Sequence, residues 1–119
     1  MENRKYDLEE RTAKFGENVI IFCKKIPVSP VTLRLIPQLV ASATSIGANY
    51  SEADDAESGK DFNHKIGICK KEARETKHWL RMIAFTVDES LKQESRILWQ
   101  EAKELNLILN AIYKKIKNK

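Results

Sequence analysis

The chain has 119 residues, and its Lys and Arg outnumber Asp and Glu by 21 to 17, for a formal net charge of +4 and a sequence pI near 9.1. That length suits one domain with a real core, and four glycines and three prolines, scattered along the chain, give no reason to expect disorder beyond the ends. The two cysteines lack Cys-x-x-Cys spacing, Met1 to Asp7 lacks the apolar stretch of a signal peptide, and no apolar run approaches the roughly 20 residues of a membrane span, so the chain reads as cytoplasmic with no membrane partner.

Leu8, Thr12, Phe15, Val19, Phe22 and Ile26 recur at alternating steps of four and three. This heptad face predicts a helix over 7–25. Pro27 and Pro30 then punctuate a short rigid connection. A second helix is expected over 32–56, with the Thr32 hydroxyl at its start and Pro37 within its first two turns. Its apolar face is Leu39, Ala43, Ile46, Tyr50 and Ala53, and Ala41, Ser42, Thr44, Ser45, Gly47 and Ala48 keep the rest slim. A helix this slim is expected at the centre, with the others packed around it.

Ser58-Gly-Lys-Asp61 has capping-box spacing and starts a third helix over 59–87. Phe62, Ile66, Cys69, Ala73, Thr76, Leu80 and Ile83 form its core stripe. Asp88 to Ser95 reads mostly as a connection, and a fourth helix over 92–117 presents Leu98, Ala102, Leu105, Leu109, Ile112 and Ile116. The chain is therefore expected to be one all-α domain, an antiparallel up-down-up-down four-helix bundle with left-handed, coiled-coil-like packing. Cys23 and Cys69 each fall on an apolar face, where a free buried thiol is the expected outcome.

The segments Ser42-Ala-Thr-Ser-Ile-Gly-Ala-Asn49, Glu52-Ala53, Asp61-Phe62, Lys71-Glu-Ala73, Glu75-Thr76 and Trp79-Leu80 resemble the four helix bundle protein family. Some members of that family are encoded by intervening sequences inside large-subunit ribosomal RNA genes. The accessory proteins of diversity-generating retroelements look like distant cousins. The resemblance spans nearly the whole chain, from Phe15 to Ile112, and implies the bundle fold and assembly into a ring, typically a homopentamer.

Helix 3 carries a second row beside its core stripe, comprising Lys65, Ile68, Glu72, Glu75, Trp79 and Met82. An outward Trp, Ile and Met beside two carboxylates suits either a widened core or a subunit interface. Ile68, Glu72, Glu75, Trp79 and Met82 are therefore the expected oligomer contacts, with Ile97, Trp99 and Ile108 of helix 4 lying off its main stripe in support.

Little in the chain suggests catalysis. Glu75-Thr-Lys-His78 matches one element of a di-iron bundle, but that centre needs two such elements on different helices. The other histidine, His64, lies on the same helix, about 21 Å away at ~1.5 Å per residue. No phosphate loop, nucleophile elbow or dinucleotide fingerprint is present. The expectation is a protein without enzymatic activity, metal or cofactor.

Lys70, Arg74, Lys77 and Arg81 lie at steps of four, three and four. Each neighbouring pair is like-charged, which costs a few tenths of a kcal/mol in an isolated helix, so a compensating partner is expected. Either carboxylates of a packed neighbour, such as Glu101 and Glu104, supply it, or a polyanion does. In the expected topology the first and third connections share one end, where Lys24, Lys25 and Arg81 gather. These six cations, Lys24, Lys25, Lys70, Arg74, Lys77 and Arg81, form the candidate site for RNA or DNA phosphates, with RNA favoured. The rival expectation is an oligomeric adaptor for other proteins.

Overall fold

The computed structural model describes residues 7–117 as four helices, α1 (Leu8–Lys24), α2 (Thr32–Asp54), α3 (Gly59–Ala84) and α4 (Glu89–Lys117). Their local starts follow from side-chain chemistry. The Asp7 carboxylate accepts from the Glu10 N–H at 3.1 Å and Ser58 Oγ accepts from the Asp61 N–H at 3.1 Å, each satisfying a donor that the first turn leaves free. At α2 the cap is not the expected one. Ser29 Oγ accepts from the Thr32 N–H at 3.0 Å, while Thr32 Oγ1 accepts from the Ser29 N–H at 2.8 Å. Thr32 thus answers a cap that Ser29 makes. Helix α4 starts three residues before the expected position, because Asp88 Oδ1 takes the Leu91 N–H at 3.1 Å.

Pairs of contacts fix the directions. Ser51 approaches Glu9 and Gly47 approaches Thr12, so α2 runs against α1. Cys69 meets Ile46 and Thr76 meets Ser42, so α3 runs against α2. Lys70 reaches Asn110 and Leu80 meets Ser95, so α4 runs against α3. The result is an up-down-up-down bundle. Its centre differs from the expected one: α3 is the most enclosed helix, packing broadly against both α4 and α2, while α1 leans mainly on α2 and meets α4 along a thinner seam. The slimness of α2 admits α1 closely, at Gly16 and Gly47, rather than all three neighbours. A Cβ on Gly47 would sit 3.4 Å from the Thr12 and Ala13 backbone.

The predicted stripes meet in one core. Phe15, Val19, Phe22, Leu39, Ile46, Ile66, Leu80, Ile83, Leu105 and Leu109 are fully enclosed, and each such burial is worth about 1.5–3 kcal/mol. Two polar rungs cross the core. Thr76 Oγ1 donates to Ser42 Oγ at 2.9 Å, and Ser42 passes a bond to the Leu39 carbonyl at 3.2 Å. Ser95 Oγ donates to the Leu80 carbonyl at 2.9 Å, locking α4 to α3. Cys23 and Cys69 are free and buried. Among the described residues, no helix is long and apolar enough to cross a membrane.

Candidate nucleic-acid interface

The shared face of α3 and α4 carries the chemistry. Lys70, Arg74 and Lys77 project from α3, with Lys71 beside them, and Asn106 and Asn110 face them from α4 around an open cleft of about 480 Å³. The amides hold the cleft in register. Asn106 Nδ2 donates to the Lys70 carbonyl at 2.8 Å, and Lys70 Nζ donates to Asn110 Oδ1 at 3.3 Å. Arg81 lies one turn further along α3, exposed.

Among the described residues, no carboxylate lies within ion-pair distance of Lys70, Lys71, Arg74, Lys77 or Arg81. The expected compensators are engaged elsewhere: Arg11 of α1 takes Glu101 at 2.7 Å and Glu104 at 3.0 Å, across the α1/α4 seam. That pairing holds the Arg11 guanidinium above its ordinary pKa, chiefly through the hydrogen bond to Glu101. Nor do Glu72 and Glu75 neutralise Arg74 or Arg81. Burial raises the Glu72 pKa first, and the neighbouring charge of Glu75 adds to it, partly offset by Lys71. The i,i+4 pair of Lys71 with Glu75 is not made.

Two aromatic rings bound the cleft. Lys77 and Lys103 place their ammonium groups 5.5 and 5.7 Å from the Trp99 centroid, and Lys70 and Lys117 lie 4.7 and 5.7 Å from that of Tyr113. Both rings are half-buried against the core. Tyr113 rests against Gly67, where a Cβ would come within 3.1 Å of its Cε1 atom. Beside Tyr113, Lys60, Asn63 and His64 line a further hollow, and the Asn63 side-chain oxygen is buried there without a hydrogen-bond partner.

The α4 half of this face was missed from sequence, although a signal exists. Trp99, Asn106 and Tyr113 repeat at steps of seven, as do Lys103, Asn110 and Lys117. Of the expected six cations, the structure groups Lys70, Arg74 and Lys77 around the cleft, with Arg81 continuing their line. Lys24 and Lys25 end α1, which does not adjoin α3, and Lys25 Nζ is bonded to Glu94 at 2.9 Å. They lie outside the cleft.

The expected interface row is mostly shielded: Ile68, Glu72, Trp79 and Met82 are half-buried and Glu75 is exposed. Trp79 packs against the core and edge-on to His78, with ring centroids 5.0 Å apart. The larger apolar exposures lie elsewhere. Phe85 is 89% exposed and Val28 73%, both in the connections at one end, and Ile97 is 71% exposed beside a groove of about 560 Å³ along the α1/α4 seam. No group of three or more His, Cys, Asp or Glu side chains able to hold a metal occurs among the described residues.

An all-helical bundle with a cationic face beside aromatic rings on α3 and α4 belongs with the small helical bundle proteins, and comparison with known proteins places it among them. The family described as 23S rRNA-intervening sequence protein matches residues 4–111, and the chain belongs to that family. Among solved structures, it is similar to the crystal structure of a protein of unknown function from the S23 ribosomal protein family of Bacteroides thetaiotaomicron, with 28% identity, a TM-score of 0.76, and coverage of 89% of this chain and 97% of that one. Against curated proteins the chain has no match.

Proposed function

We propose that the protein acts by binding rather than by catalysis, holding nucleic acid through backbone phosphates on the α3/α4 face, with RNA favoured. The observation that carries this reading is the uncompensated row Lys70, Arg74, Lys77 and Arg81, beside acids of α4 that Arg11 has already engaged. Like charges at helical spacing cost stability, and a polyanion recovers that cost while releasing counterions. The family's description, which refers to an intervening sequence of 23S rRNA, supports RNA over DNA. Self-assembly into a homo-oligomer, a pentamer favoured, belongs to the same reading and would repeat the cationic face around a ring. It draws on the family resemblance and on apolar surface such as Ile97 that one bundle leaves uncovered.

Changing Arg74 and Arg81 to Gln tests the phosphate contacts. RNA affinity should fall by a similar factor for unrelated sequences, and the salt dependence should flatten by ~0.7 log unit per lost single-strand contact. Unchanged affinity and slope would remove the α3/α4 face from the reading. A specific observation favours a second reading, an oligomeric adaptor for another protein: Val28, Val31, Leu33 and Phe85 all lie exposed at the end shared by the first and third connections. That reading requires little RNA affinity at ~150 mM salt, where nonspecific phosphate contacts are already weakened.

A further inference from the structure

We infer that the α3/α4 face takes its nucleic acid as an unpaired single strand, with a base seated on Trp99, another on Tyr113, and the intervening phosphates along Lys70, Arg74 and Lys77. This rests on the proposed nucleic-acid function and narrows its ligand.

A duplex would leave part of this face unused. A helix of paired bases presents phosphates and buries its base faces, so it needs cations alone. Here each end of the cationic cleft carries an aromatic ring as well, and each ring already holds two ammonium groups 4.7–5.7 Å from its centre. An ammonium over a ring is a weak bond that a phosphate readily outcompetes. As a strand enters, its phosphates draw the lysines toward the cleft and free the ring faces for stacking, which suits any base because every base has a π-face.

The geometry fits this exchange. Trp99 and Tyr113 are fourteen residues apart on α4, about 21 Å at ~1.5 Å per residue. A stacked strand advances ~3.4 Å per nucleotide, so the rings span roughly six nucleotides, and fewer if the strand is stretched. That length lies inside the roughly 4–16 nucleotides that single-strand sites occupy. Both rings are half-buried against the core, and Gly67 lets one side of the Tyr113 ring approach α3 closely.

The test uses the full chain with a fluorescein-labelled, mixed-sequence 12-nucleotide RNA, alone and annealed to its complement, at 50 mM salt. The single strand should bind at least ~10-fold more tightly than the duplex. Tyr113→Ala should weaken single-strand binding by about 5- to 100-fold, the range of one lost base stack, leave duplex binding unchanged, and be rescued by Tyr113→Phe. Should Tyr113→Ala lose helicity, a Trp79→Phe variant leaves Trp99 as the sole indole. Its fluorescence should be quenched by the single strand and not by the duplex. Equal affinity for both forms, or absence of quenching, overturns the single-strand proposal while leaving phosphate binding intact. Failure of both RNAs to bind overturns the proposed function itself, and this inference with it.

Discussion

The hydroxyl pair between α2 and α3 offers a sharp test of the register that builds the α3 face. Thr76 is fully enclosed and Ser42 is 4% exposed, and their oxygens lie 2.9 Å apart. Thr76→Val keeps the shape and removes the donor to Ser42. Ser42→Ala removes the acceptor, while Thr76 can still turn to the Glu72 carbonyl at 2.8 Å. A neutral buried hydrogen bond contributes ~1 kcal/mol net, and removing both partners together is nearly neutral. Each single change should therefore cost about 1 kcal/mol, and the double variant should cost clearly less than their sum. The coupling should be about 0.5–1.5 kcal/mol. Urea unfolding followed by circular dichroism measures all four proteins, and in a chain of this size 1 kcal/mol moves the melting temperature by roughly 4 °C. Strict additivity would mean that the two hydroxyls do not meet and that α3 is rotated or shifted against α2.

Gly47→Ala should raise the melting temperature by about 4 °C, since the new methyl meets α1 at contact distance and helix propensity gains ~1 kcal/mol. Gly47→Val, whose branches cannot turn aside, should instead lose about 1–3 kcal/mol by overpacking. Burial holds the Cys23 and Cys69 thiols up at about 11 and about 12, against 9.0 for an ordinary thiol. The unfolded chain therefore sheds thiol protons that the folded chain keeps, so stability should be full below pH ~9 and fall above it, and a Cys23→Ala, Cys69→Ala variant should show a shallower fall. Light scattering should report a particle several times the 13.7 kDa chain mass, and Ile97→Glu, on apolar surface that one bundle leaves 71% exposed, should shift it toward smaller species with helicity retained. A monomer at micromolar concentration would refute the assembly.

Most of the fold was legible because the heptad stripes are nearly uninterrupted. Leu8 to Ile26 and Ile66 to Ile83 pointed inward where the structure has them. The start of α4 was not legible, because Asp88-Glu-Ser reads as a turn until the Asp88 carboxylate is seen capping Leu91. Spacing on one helix also cannot say which neighbour lies beside it. Glu101 and Glu104 looked available to the α3 cations, yet the bundle turns them toward Arg11 across the seam. Lateral order is a tertiary property, and it decided whether the basic row was compensated. Helix α4 kept its half of the face in plain view at steps of seven, but Trp99 and Tyr113 read first as side chains bordering the core stripe. The same holds for Trp79, whose outward position on the helical wheel becomes a half-buried one once α2 lies alongside.

The central claim is that Lys70, Arg74, Lys77 and Arg81 together meet phosphates. The measurement that tests it most directly is the affinity of the wild-type protein for a mixed-sequence RNA at 50 and 200 mM salt. Four single-strand phosphate contacts give a slope of about −2.8 in log affinity against log salt, or roughly a 50-fold loss over that range. A slope of this size, shared by unrelated sequences, is the predicted result. Binding insensitive to salt, or absent at 50 mM, would contradict it.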